Sequence, residues 1–139
     1  MRQLIKNLLA PKTILVLAIT YSLAIVVLSL VNPNQIVLKL EFNYADKLLH
    51  LIAYFGLNLL WLITFLINSN NRKNIFKYFL FISAASIFFG IVLEFLQYGL
   101  TNYRTLDVYD ALANTIGALL AFVVMFMLRI KIRELILSN

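Results

Sequence analysis

Asp46, His50 and Tyr54 recur at i, i+4 and i+8, the spacing that stacks side chains along one face of a helix. Farther on, Glu94 is the only charge between Lys77 and Arg104, with Gln97 three residues beyond it. Arg104, Asp107, Asp110 and Asn114 then follow within eleven residues. Carboxylates and one imidazole are the groups that move protons or bind cations. Glu94, Asp107 and Asp110 offer the hard oxygen donors of a divalent metal site, and such a metal would in turn hold a lipid phosphate.

Each of these residues also has a plainer reading. Glu94 can be the ion-pair partner of Arg104 or Lys47. Asp107 and Asp110 have the spacing of a helix cap and a first-turn acid. Arg104 either binds a phosphate or carboxylate of a ligand or neutralises the neighbouring acids. For His50 the expected role is a hydrogen bond to Asp46 one turn earlier, with titration and metal ligation as the alternatives. Gln97 and Asn114 read as hydrogen bonds between helices, and Gly117 and Ala121 as packing residues. Trp61 and the Phe-rich runs read as lipid-facing bulk.

Several familiar chemistries do not fit. The serines lack a G-x-S-x-G context for a Ser-His-Asp hydrolase. A single histidine cannot supply H-E-x-x-H, nor a histidine-dependent phosphatase. Asp107-x-x-Asp110 lacks the glycine and arginine of lipid-linked phosphotransferases. No cysteine is present, so thiolate and disulfide chemistry are excluded.

The elements that carry these residues are dictated by composition. Of 139 residues, 63% are hydrophobic and only 13% charged, a balance that a water-facing surface does not tolerate. Residues 13–38, 48–71 and 111–128 carry no charge apart from His50, and 78–103 carry only Glu94. Each stretch matches the roughly 20 residues that cross a bilayer as a helix. The expected fold is an all-α integral membrane protein, one four-helix bundle domain over 1–139, with helices near 13–31, 48–67, 75–97 and 107–128. Asp46 marks the start of the second as its N-cap, and Pro33 closes the first. Residues 34–45 read as a loop with a short extended piece at "IVLKLEF", and a short amphipathic tail follows the fourth helix. The basic N-terminal segment precedes an apolar run too long for a cleaved signal, so the first helix is expected to be retained.

Nine of the twelve basic residues lie in three segments, before the first helix, between the second and third, and after the fourth. Four helices put those segments on one side, and the positive-inside rule makes it the cytoplasm, with both termini there. The net charge of +6 is thus explained by anionic lipid, and no nucleic-acid partner is implied. On helical wheels the polar residues share stripes of about 80° to 120° with Gly, Ala and Ser. Asp46, Lys47, His50, Glu94, Gln97, Arg104, Asp107 and Asp110 all fall at the extracytoplasmic end, with Asn114 about one turn deeper. Intramembrane ionisable residues are functional candidates by default.

Three segments, "DKLLHLIAYFGL" (46–57), "GIVLEFLQYGL" (90–100) and "RTLDVYDALANTIGALLA" (104–121), resemble the signature segments of the VanZ-like family. These are small multi-helix membrane proteins named for a member linked to resistance to the glycopeptide teicoplanin. The resemblance covers Asp46 to Ala121 and places the family pattern on Asp46, Lys47, His50, Tyr54, Gly90, Glu94, Gln97, Arg104, Asp107, Asp110, Asn114 and Gly117. Leu51 stands where an aromatic is common. Membership implies a multi-pass protein of the bacterial cytoplasmic (inner) membrane acting at the cell envelope; it names no reaction and no cofactor. The expected function is recognition of an outer-leaflet ligand, a lipid head group or glycopeptide-like molecule, by the polar cluster. The alternatives are a metal-dependent enzyme on a lipid-linked envelope intermediate and a structural subunit of a membrane-protein complex.

Overall fold

The computed structural model describes residues 10–31, 44–69, 74–101 and 106–137. Among them are four α-helices and no strand: α1 (Pro11–Leu30), α2 (Ala45–Asn68), α3 (Ile75–Leu100) and α4 (Val108–Leu137). All four contain a window long and apolar enough to cross a bilayer. Large apolar side chains such as Phe81, Phe88, Leu23 and Met127 point outward, as they must where lipid is the solvent. The protein is a four-helix membrane bundle.

The helix boundaries follow local chemistry. Pro11 opens α1, a position where its missing N–H has no helical partner to lose. The chain turns extended at Val31, two residues before Pro33. Asp46 proves not to be the cap of α2: Tyr44 precedes the helix, and Asp46 is an acid of the first turn, where the helix dipole still favours it. α3 passes Gln97 and ends at Leu100, because Gly99 keeps a helical conformation.

The largest departure is in α4. Instead of a helix ending near 128 and a separate tail, one helix of 30 residues reaches Leu137. No Gly or Pro lies between Leu128 and Leu137 to stop it. At about 1.5 Å per residue it is roughly 45 Å long, so its last turns project beyond a hydrocarbon core of about 30 Å. There the Arg129 guanidinium lies 3.6 Å from the centroid of the Phe126 ring and donates to the Phe126 carbonyl. The extended piece expected at "IVLKLEF" lies outside the described residues, as does Arg104.

α2 and α4 form the tightest seam. A β-carbon at Gly117 would collide with the carbonyl oxygen of Leu51 and lie 3.0 Å from the Phe55 nitrogen. Ala118 and Ala121 are fully buried beside it, the small-residue packing that lets membrane helices approach. α1 is tied to this core by side chains: Tyr21 donates to the Ala53 carbonyl at 3.3 Å, and Trp61 Nε1 to Ser22 Oγ at 3.1 Å. Trp61 is therefore a clamp between helices and not lipid-facing bulk. The Phe-rich runs divide likewise. Phe79 is fully buried with Leu62, Leu66 and Met125, and Phe76 meets Phe122 and Phe126 edge to face at 5.8 and 5.6 Å. This aromatic core fills the end of the bundle opposite the polar residues.

Candidate functional site

Where α2 and α4 begin and α3 ends, seven of the expected polar residues converge. Lys47, near the start of α2, is the hub. Its Nζ donates to Asp46 Oδ2 at 2.7 Å, Asp107 Oδ2 at 2.6 Å and Asp110 Oδ1 at 2.9 Å. Three acceptors match the three N–H donors of an ammonium. Asp107 also accepts from the backbone N–H of Tyr109 at 2.8 Å, so it caps α4 and pairs with Lys47 at once. The Lys47 hydrogen bond, reinforced by that N–H, holds the Asp107 carboxyl below the usual carboxylate range.

One turn deeper, His50 turns away from Asp46, contrary to the expected bond. Successive turns of α2 aim it between α3 and α4. Its Nδ1 is 3.1 Å from Asn114 Oδ1 and 3.6 Å from Glu94 Oε1, and its Nε2 is 3.7 Å from Asp110 Oδ2. Asn114 Nδ2 donates to Glu94 Oε1 at 3.2 Å. Glu94 and Asp110 are buried, 6% and 5% exposed, whereas the Asp46 side chain is about half exposed. The site thus grades from a wetted rim, Asp46 and Asp107, to a buried floor.

Tyr54 and Gln97 lie at its edge. Tyr54 is buried with Ile25, Leu57 and Leu93, and a β-carbon at Gly90 would come within 2.8 Å of its ring. Gln97 points to α1, donating to the Ser29 carbonyl at 2.9 Å. Lys47 satisfies aspartates and leaves the Glu94 carboxylate to face His50 and Asn114. The metal candidates also regroup. Glu94, Asp107 and Asp110 do not form one set; among the described residues the donor atoms that cluster within 4.8 Å are those of His50, Glu94 and Asp110, and separately those of Asp46, Asp107 and Asp110. Lys47 occupies the second set, so its ammonium already stands where a cation would.

Sequence reasoning missed a second polar node below the site. Asn58, fully buried, donates to Ser83 Oγ at 2.9 Å and the Ala118 carbonyl at 2.7 Å, and accepts from Ser86 Oγ at 3.2 Å. The signal was present: Asn58 continues the Asp46–His50–Tyr54 series by one more i+4 step.

The VanZ/LLP1 family model matches residues 9–129, which include every candidate residue above. No match is found among curated proteins or among solved structures. The chain belongs to the VanZ/LLP1 family.

Proposed function

We propose that this is an envelope protein of the bacterial cytoplasmic membrane, a single four-helix domain with both termini inside, whose polar cluster binds a ligand at the outer leaflet. The charge count of the cluster carries the reading. Asp46, Asp107 and Asp110 meet Lys47, and Glu94 faces His50 and Asn114. Three carboxylates share that one ammonium. Buried excess negative charge is costly unless matched. The complementary ligand therefore brings positive charge, either as an amine of a lipid head group or glycopeptide-like molecule, or as a cation that the head group shares. The half-exposed Asp46 and Asp107 give that charge an entry from the rim.

The test is cellular. Glu94→Ala and Asp110→Asn, produced at wild-type abundance, are expected to abolish the envelope phenotype that the wild-type protein confers, including glycopeptide susceptibility. Unchanged phenotypes at normal abundance would remove the reading. The structural-subunit reading draws on Gln97 and Asn58, whose hydrogen bonds only join helices; it predicts loss of function in proportion to loss of protein.

A further inference from the structure

Between α1 and α3, over the middle of α2, lies a cavity of about 390 Å³. Leu57 and Ser86 in its lining are buried, whereas Phe81 and Ala85 are exposed, so it is a groove that opens sideways from the bundle. Its shape is written in α3. Phe81, Ala85 and Phe89 stand at i, i+4 and i+8 on one face, a small residue notched between two rings. Ser22 puts another small side chain on the α1 wall. One turn nearer the polar cluster the helices close on one another through Ile25, Tyr54 and Leu93, and Gln97 ties α3 to the Ser29 carbonyl at 2.9 Å. The groove is thus separate from the polar cluster.

The polar side chains in its lining already have partners. Ser22 Oγ donates to the Ala18 carbonyl at 2.8 Å and accepts from Trp61 Nε1 at 3.1 Å, and Ser86 Oγ donates to Asn58 Oδ1 at 3.2 Å. What remains for an occupant is apolar surface. The lining residues also sit near the middle of their helices, at the depth of the hydrocarbon core, where water is absent. A space of this size is not left empty in a close-packed structure. It has room for about a dozen groups the size of water or methylene, which is one acyl chain, not two, and much less than a long polyisoprenoid. A protein helix is too thick, since one turn about 5.4 Å tall and 10–12 Å across already exceeds the volume.

We propose that this groove is a binding site for one acyl chain of a membrane phospholipid, which enters sideways between α1 and α3 and lies against Trp61. The site goes beyond the polar cluster and uses none of its charges. Leaving other lipid tails for an apolar protein wall yields no hydrophobic gain, because the tails are as apolar as the wall; packing is what holds the chain. Retention therefore depends on fit, and the small side chain of Ala85 sets that fit.

Trp61 is the only tryptophan of the chain and lines the groove, so its fluorescence reports occupancy. Full-length protein in detergent micelles would be titrated with phosphatidylcholine brominated at mid-chain. Trp61 emission is expected to be quenched along a curve that saturates at one lipid per chain. Ala85→Phe, which sets a ring into the notch from an exposed position, is expected to abolish the saturable quenching. Ala84→Phe adds the same bulk at an exposed neighbour outside the lining and is expected to keep it. Helicity and melting of both variants are compared with wild type, and the wild-type curve decides alone if a variant fails to fold. Quenching that only rises in proportion to the lipid fraction overturns the inference, as does a saturable curve that Ala85→Phe leaves unchanged. Release of the brominated lipid by a polyisoprenyl phosphate at lower concentration than by unlabelled phosphatidylcholine would overturn the acyl assignment. Shielding of Trp61 that is relieved only when the protein is diluted to monomers would place a second copy over the groove and overturn it too.

Discussion

Lys47 Nζ and Asp107 Oδ2, sixty residues apart in the chain, lie 2.6 Å from each other. The pair fastens the start of α2 to the start of α4 at the rim of the polar cluster. It also uses the acid that caps α4, so helix entry and site assembly depend on one carboxylate.

Lys47→Met removes the ammonium from three aspartates, one of which, Asp110, is 5% exposed. Stranding a fully buried charge costs about 3–5 kcal/mol; with Lys47 and Asp107 partly exposed, a loss of about 1–3 kcal/mol is expected. Denaturant unfolding in detergent micelles measures it. Addition of Asp110→Asn to the lysine variant should restore part of the loss.

Acid should loosen the same contact. The Asp107 carboxyl is lowered in the folded protein, so its contribution is present above the ordinary carboxylate value of about 3.9 and is lost as pH falls through the lower folded value. Its contribution is therefore steady from pH 7 down to about 5 and falls away below about 4. Asp107→Asn should flatten that acid limb in a melting-temperature series while lowering stability at neutral pH.

The α2–α4 seam gives a matched pair of glycine substitutions. Gly117→Ala drives a methyl into the Leu51 carbonyl, whereas Gly99 has no atom within 4 Å of an added β-carbon. Gly117→Ala should cost about 1–3 kcal/mol or more. Gly99→Ala should be neutral or slightly stabilising, since alanine is the better helix former by roughly 0.5–1 kcal/mol. Thermal melting of the two variants compares them directly.

Asn58→Leu leaves Ser83, Ser86 and the Ala118 carbonyl without their shared partner. Interhelical hydrogen bonds in membranes contribute about 0.6–2 kcal/mol each, so a loss of about 1–2 kcal/mol is expected. Ligand binding at the rim should survive it, and that separates the structural node from the site.

These residues also show what a sequence makes legible. Four uncharged stretches announce four helices because a bilayer leaves few other solutions for the backbone. The polar residues could be assigned to one end because helix direction alternates. Which of them touch was not readable, because that depends on helix rotation and distance. Lys47 took all three aspartates, His50 turned from Asp46 toward α3 and α4, and Gln97 reached α1. Trp61 was misread for the same reason, since an indole serves equally in lipid or between helices until a partner such as Ser22 is in place. The join of α4 to its tail was readable in retrospect, in the absence of any Gly or Pro after Leu128.

The proposed orientation in the membrane rests on the basic segments and can be checked without removing native thiols, since the chain has no cysteine. Gln35→Cys should react with an impermeant maleimide on intact cells, and Asn71→Cys only after permeabilisation. The opposite pattern would place the polar cluster in the cytoplasm.

The central claim, that the cluster is a binding site, is tested most directly by native mass spectrometry of the protein in nanodiscs made from its own membrane. Wild type and Glu94→Gln would be compared at equal folding. A stoichiometric adduct on the wild type that is missing from the variant is the expected result, and its mass identifies the ligand. Identical spectra without an adduct would contradict the account and leave Glu94 as a residue that holds helices together.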